Sequence, residues 1–207
     1  MRDGLRESVI VDSVVPHLEA ALGKRGALVI STRSPVIQGG LSRAYRFSNQ
    51  DRALQWRAEL SHELATKFPD RPMLFLSIHA NSSPSPTSSG AEIYYYAADS
   101  GQSASAQFAR SVAAHFKPQG GVRLMRGDFA VLRCQKAQTP AILIELSYIT
   151  NIGDREFLRS LVRNPHKAEA VAEKIAQGIQ AYVQHQHDKQ EKPVVFARAD
   201  IQPPSVQ

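Results

Sequence analysis

Two short apolar runs, MLFL at 73–76 and AILIEL at 141–146, constrain the fold of this chain more than any other feature. Each is too short for an ordinary helix and too continuously apolar for a strand with one wet face. Each therefore reads as a buried strand, continuing as MLFLSIHA in the first case. Helical patterns separate such strands. Residues 8 to about 25 carry Val11, Val14, Val15, Leu18 and Leu22 at helical spacing, with Gly26 as a stop. Pro16 lies inside this stretch and is expected to kink or split the helix. ALVIST at 27–32 reads as a further buried strand, and RSPVIQGGLSRAYRFSN as an irregular loop.

The pattern then repeats. QDRALQWRAELSHELATKF reads as a helix closed by PDRP, GAEIYYYA as a strand, and SASAQFARSVAAHFK as a helix with small residues on one face. GVRLM and FAVLR read as short strands. One or two helices follow, broken at Asn164-Pro165. From residue 184 the chain turns polar and Pro-bearing, so 1–183 is read as the folded domain and 184–207 as a disordered tail or linker. Strands alternating with helices predict an α/β fold: a mainly parallel twisted sheet flanked by helices on both faces, in three layers. Such sheets bind ligands outside the carboxyl ends of their strands.

Composition removes several classes. At 207 residues and 43% hydrophobic, the chain fits one domain with a proper core. No stretch approaches the roughly 20 apolar residues that span a bilayer, and MRDGLRESVI has no signal-peptide core. The single cysteine, Cys134, reads as a small core residue; it permits no internal disulfide and no cysteine-based zinc site. The net charge of +6 sits on the folded body, because Lys189, Lys192 and Arg198 balance Asp188, Glu191 and Asp200. Positive charge suits anionic partners, such as nucleic acid or acidic wall polymer, and equally suits simple solubility. No recognition-helix or aromatic-platform motif supports nucleic acid.

Three residues stand out chemically. His79 ends the strand MLFLSIHA and precedes SSPSPTSS, which cannot continue a strand. A lone strand-end histidine suits a structural role as well as a metal. Glu145 interrupts AILIEL, where an ionised carboxylate is costly unless paired or used in chemistry. Glu7 precedes the first helix, where the helix dipole alone would favour it. Zinc would join the three, since it accepts imidazole and carboxylate, but catalytic sites usually offer three protein ligands. His17, His62, His115 and His166 fall in helical stretches, and His185 and His187 in the tail.

SIHANSS, GAEIYYY, FAVLR and PAILIELSYITN, in that order, resemble the zinc-dependent N-acetylmuramoyl-L-alanine amidases. Upstream, RES before a helix and then LVISTR resemble the glutamate, first helix and Thr-Arg strand end of that family, and Arg57 matches an arginine on the helix before the histidine strand. The resemblance covers roughly residues 4–183. It implies a zinc enzyme that cuts the amide between N-acetylmuramic acid and L-alanine in peptidoglycan. Glu7 and His79 would be zinc ligands and Glu145 the catalytic glutamate. It also implies export to the periplasm or cell wall in the full-length protein. SSPSPTSS would border the substrate groove or serve as a plain connector.

One family element is missing. The family begins with a strand ending in Gly-His-Gly-Gly, whose histidine is another zinc ligand, whereas this chain enters at MRDGLRES. Two readings follow: an N-terminally incomplete catalytic domain, or a non-catalytic wall-binding or regulatory homologue without the metal. The presence of Glu7, His79 and Glu145 together favours the first. Glu7 and His79 are then expected to converge on one point faced by Glu145, beside an exposed apolar gap next to ALVIST or MLFLSI.

Overall fold

The computed structural model of the chain describes residues 5–32, 50–69, 71–118, 120–133 and 139–191. Its elements are α1 (Glu7–Gly23), α2 (Gln50–Lys67), β1 (Phe75–Asn81), β2 (Ala91–Tyr96), α3 (Ala104–His115), β3 (Val122–Gly127), α4 (Ala130–Arg133), β4 (Ala141–Tyr148), α5 (Ile152–Arg163) and α6 (Pro165–Glu191). The strands form one sheet in the order β1-β4-β2-β3. β1 pairs with β4 and β2 with β3 in parallel, and the central β2–β4 pairing is antiparallel. The expected α/β sheet is therefore present and mostly parallel. Its antiparallel join has a consequence for the site: the carboxyl ends of β1 and β4 lie beside the amino ends of β2 and β3.

All eight residues of β4 are buried, Glu145 and Ser147 among them, as a strand covered on both faces requires of its largely apolar run. Ile142, Ile144 and Leu146 join Ile10 and Val14 of α1, Phe108 of α3, Leu158 of α5 and Ile175 of α6 in the main core. The opposite face is covered less completely. There Ala141 and Leu143 pack against Val131 and Leu132 of α4, and α2 packs against α4. Further along β4, this second face carries Glu145 and Ser147. The polar end of β4 thus lies on the thinly covered side.

Several local expectations give way to packing. FAVLR forms a helical turn, α4, and not a strand. The Phe129 carbonyl accepts from the amides of Leu132 and Arg133, closing a turn that buries both Val131 and Leu132. Pro16 sits inside α1 without splitting it, since Ile10, Val11, Val14, Leu18 and Ala21 bury one continuous face. Ala27–Thr32 forms no strand, and Leu28 and Val29 are exposed. The break at Asn164-Pro165 occurs as expected, with Asn164 extended and Pro165 opening α6. α6 then continues through Glu191, so residues 184–191, with His185 and His187, are helical instead of part of an unstructured tail. Cys134, residues 33–49, for which a loop was expected, and residues 192–207 lie outside the described residues.

The small residues of α3 serve a close helix crossing. A Cβ on Gly178 of α6 would lie 2.5 Å from the Val112 Cα, and Ser111 Oγ donates to the Gly178 carbonyl at 2.8 Å. A buried carboxylate secures the sheet end. Asp154 Oδ2 accepts from the Gly90 amide at 2.8 Å and the Tyr148 amide at 3.0 Å, tying the start of β2 and the end of β4 to α5. Asp154→Ala strands both buried donors, so unfolding in urea should show a loss on the order of 3 kcal/mol. Asp154→Asn, which keeps an acceptor, should lose clearly less.

Candidate active site

α1 begins over the end of β1 and places its first residue, Glu7, against that strand. Glu7 Oε1 lies 2.6 Å from His79 Nδ1 and accepts from the Ala80 amide at 3.4 Å. The other ring nitrogen of His79 lies 2.9 Å from Ser77 Oγ, two residues back on the same face. Glu145 is the registered partner of His79 across β1–β4. Glu7, His79 and Glu145 therefore come together at one corner of the sheet. Glu7 and His79 are partly exposed, while Glu145 is 9% exposed.

Glu145 is the electrostatically unusual member. Burial, and then the negative charges of Glu7 and Glu92, push its carboxyl up to about 8. Its Oε2 and the Ser147 hydroxyl are buried without a hydrogen-bond partner among the described residues. A native-state pKa raised above the unfolded value of about 4.3 makes stability fall as pH rises between those two values. The metal-free protein should thus lose stability from about pH 4.3 to about pH 8, and Glu145→Gln should abolish that slope. Thermal melts of both proteins across this range measure it; parallel curves would show that Glu145 ionises freely.

The sequence reading missed the other half of this site. Glu92 of β2 is the registered partner of Glu145, and Arg123 of β3 is the registered partner of Glu92. His79, Glu145, Glu92 and Arg123 consequently form one row across all four strands, on one face. Glu92 is 4% exposed and accepts from Asn81 Nδ2 at 2.9 Å, Tyr94 OH at 2.6 Å and Arg123 Nη2 at 2.8 Å. Burial alone would raise its pKa, but the bonds from Tyr94, Arg123 and Tyr148 prevail and hold it below the usual range. A glutamate inside the buried strand GAEIYYY was the available signal, by the same reasoning that singled out Glu145.

SSPSPTSS borders this corner and is well tied. The Ser83 amide donates to Thr150 Oγ1 at 3.0 Å, and Asn151 Nδ2 donates to the Pro86 carbonyl at 2.9 Å. On the far side of His79, β1 is an edge strand among the described residues. A cavity of about 420 Å³ opens beside it, lined by Val11, Leu18, Leu28, Ile30, Phe75 and Ile78, with Glu7 and His79 also contributing to its wall. This is the apolar gap expected next to MLFLSI.

A family model described as N-acetylmuramoyl-L-alanine amidase matches residues 1–181. The chain belongs to the N-acetylmuramoyl-L-alanine amidase family. It is 33% identical over 102 residues to the N-acetylmuramoyl-L-alanine amidase LytC of Bacillus subtilis (strain 168); that stretch is 47% of this chain and 20% of LytC. Among solved structures, the catalytic domain of the amidase CwlV from Bacillus (Paenibacillus) polymyxa var. colistinus superposes with a TM-score of 0.63 at 27% identity, covering 87% of both chains. Ami1 of Mycobacterium smegmatis shares the fold, with a TM-score of 0.65 at 23% identity over 90% of this chain and 81% of its own.

Zinc is the metal the amidase resemblance implies. Glu7 Oε1 and His79 Nδ1 are the oxygen and nitrogen donors that zinc accepts. They fit it as a pair, one short of three: among the described residues no group of three His, Cys, Asp or Glu side chains is arranged to hold a metal.

Proposed function

We propose that this chain is the catalytic part of a peptidoglycan hydrolase that cleaves the amide joining the lactyl group of N-acetylmuramic acid to L-alanine. The observation that carries this reading is the placement of Glu145: buried, high in pKa, in register with His79 and beside Glu7. Glu7 and His79 would hold zinc. When bound, zinc polarises the amide carbonyl and acidifies its water.

The residues of the chain do the remaining work. Glu145, set in an apolar strand with Oε2 unpartnered, takes a proton from the attacking water. As the carbon–nitrogen bond breaks and the new carbon–oxygen bond forms, Glu145 returns that proton to the departing nitrogen. L-alanine leaves as a free amine and the muramoyl group as a carboxylate. The Ser77 hydroxyl, at 2.9 Å from Nε2, fixes the ring plane of His79.

Release of peptides beginning with L-alanine from purified peptidoglycan tests this reading, together with zinc analysis of the purified protein. One zinc per chain, with hydrolysis lost on chelation, is the result expected once a third donor joins Glu7 and His79. His79→Ala should abolish bound metal and hydrolysis alike. The two-donor count also favours a second reading, a wall-binding homologue that does not hydrolyse. Peptidoglycan binding with neither zinc nor hydrolysis would select it. With peptidoglycan as substrate, export to the periplasm or cell wall is part of the proposal. Among the described residues no helix is long and apolar enough to cross a membrane.

A further inference from the structure

We infer that Arg123 is a specificity-determining residue that binds a carboxylate on the second residue of the substrate's peptide. This rests on the amidase reading above and deepens it.

Arg123 ends the cross-sheet row that begins at His79. Its side chain is 48% exposed, whereas that of its partner Glu92 is 5% exposed. The ion pair is therefore layered, with the carboxylate beneath and the guanidinium at the surface. Glu92 is already satisfied by Asn81, Tyr94 and Arg123, so its charge is neutralised below the surface that a ligand meets. The guanidinium is also anchored from a second direction, by donation from Nη1 to the Ser89 carbonyl at 2.8 Å. Two fixed bonds hold a flexible side chain in one place, which lowers the entropy lost on binding a ligand.

Position selects the ligand group. Neighbouring strands lie about 4.8 Å apart, so the Arg123 backbone is roughly 10 Å from that of Glu145. The side chain reaches back over Glu92, which brings its cation about one strand spacing from the reacting corner. An extended peptide advances about 3.3–3.6 Å per residue. With the scissile amide at Glu145 and the peptide running towards β3, the group over Arg123 belongs to the second residue. Glu145 and Glu92 on this row, with Glu7 at its end, would repel a carboxylate, and Arg123 is the cation of the row that offsets them.

The test compares two N-acetylmuramoyl dipeptides, with the second residue carrying a free carboxylate or its amide, by calorimetric titration of the metal-free full chain. Wild type should bind the carboxylate form about tenfold or more tightly, as a charge-assisted pair provides. Arg123→Gln should bring the ratio to about one and leave affinity for the amide form unchanged. The paired Glu92→Gln/Arg123→Gln variant should show the same loss without stranding a buried carboxylate. Equal wild-type affinities, or a preference that survives in both variants, would overturn the role of Arg123 while leaving the amidase reading intact. If neither dipeptide binds wild type, the role of Arg123 falls, while the amidase reading is decided separately by peptide release from peptidoglycan.

Discussion

A strand-forming segment ending in Gly-His-Gly-Gly, joined ahead of residue 5, is expected to confer tight zinc binding and amide hydrolysis together. The reason is structural. β1 exposes its outer edge among the described residues, and the cavity of about 420 Å³ beside it is lined mainly by apolar side chains, with Ser8, Glu19, Thr32 and Arg57 also in its wall. Unpaired strand edges are templates for strand addition. A strand laid parallel to β1 would end beside His79 and Glu7, and its terminal histidine would complete a set of three donors. A catalytic zinc site needs such a set. Moving from two donors to three should raise zinc affinity by several orders of magnitude, towards the total of roughly 10–16 kcal/mol that complete structural sites reach. The same segment with its histidine changed to Ala should still fill the groove and raise thermal stability, but should bind no zinc tightly. Equal zinc affinity in the two fusions would show that the groove does not bring a third donor to Glu7 and His79.

The sequence made the centre of this fold legible and left its margins obscure. β1 and β4 were readable because a covered strand demands a mostly apolar run; β4 is buried at every position, and β1, at the sheet edge, is half-buried. ALVIST has equally apolar residues yet forms no strand. A strand exists through its partner's hydrogen bonds, and periodicity says nothing of whether a partner lies alongside. FAVLR misled for another reason. Five residues are too few to tell a strand from a helical turn, and the packing of Val131 and Leu132 on Leu143 decides between them. α6 outlasts its apolar pattern because its end is held by polar contacts, including that of Lys189 Nζ with Gln107 Oε1 at 3.0 Å. At the site, Glu7, His79 and Glu145 were singled out one by one, but their convergence depends on strand register. Arg123 carried no signal: an arginine in a half-exposed edge strand is ordinary until its neighbour proves to be a buried glutamate.

In the strand-completed protein, Glu145→Gln should leave zinc bound and lower the rate of amide hydrolysis by about 10²–10⁴-fold, the usual cost of removing a general base. Gln keeps the volume of the side chain and can still accept a hydrogen bond, so the buried position between β1 and β2 should repack little. It cannot take a proton from water at neutral pH. Wild-type activity carries a second mark of the same group. The raised value of about 8 belongs to the metal-free protein, where Glu7 and Glu92 both disfavour a further negative charge. A bound cation would favour the ionised form, so the acid limb of the rate profile, where the rate rises as this base ionises, should lie well below pH 8 in the zinc enzyme. Glu92→Gln removes one of those negative charges and should move that limb lower still without changing zinc content. His79→Ala sets the contrast, because it should lose metal and rate together. Retention of full turnover by Glu145→Gln would return this glutamate to a structural role, and the search for the base would move to the remaining acids of the row.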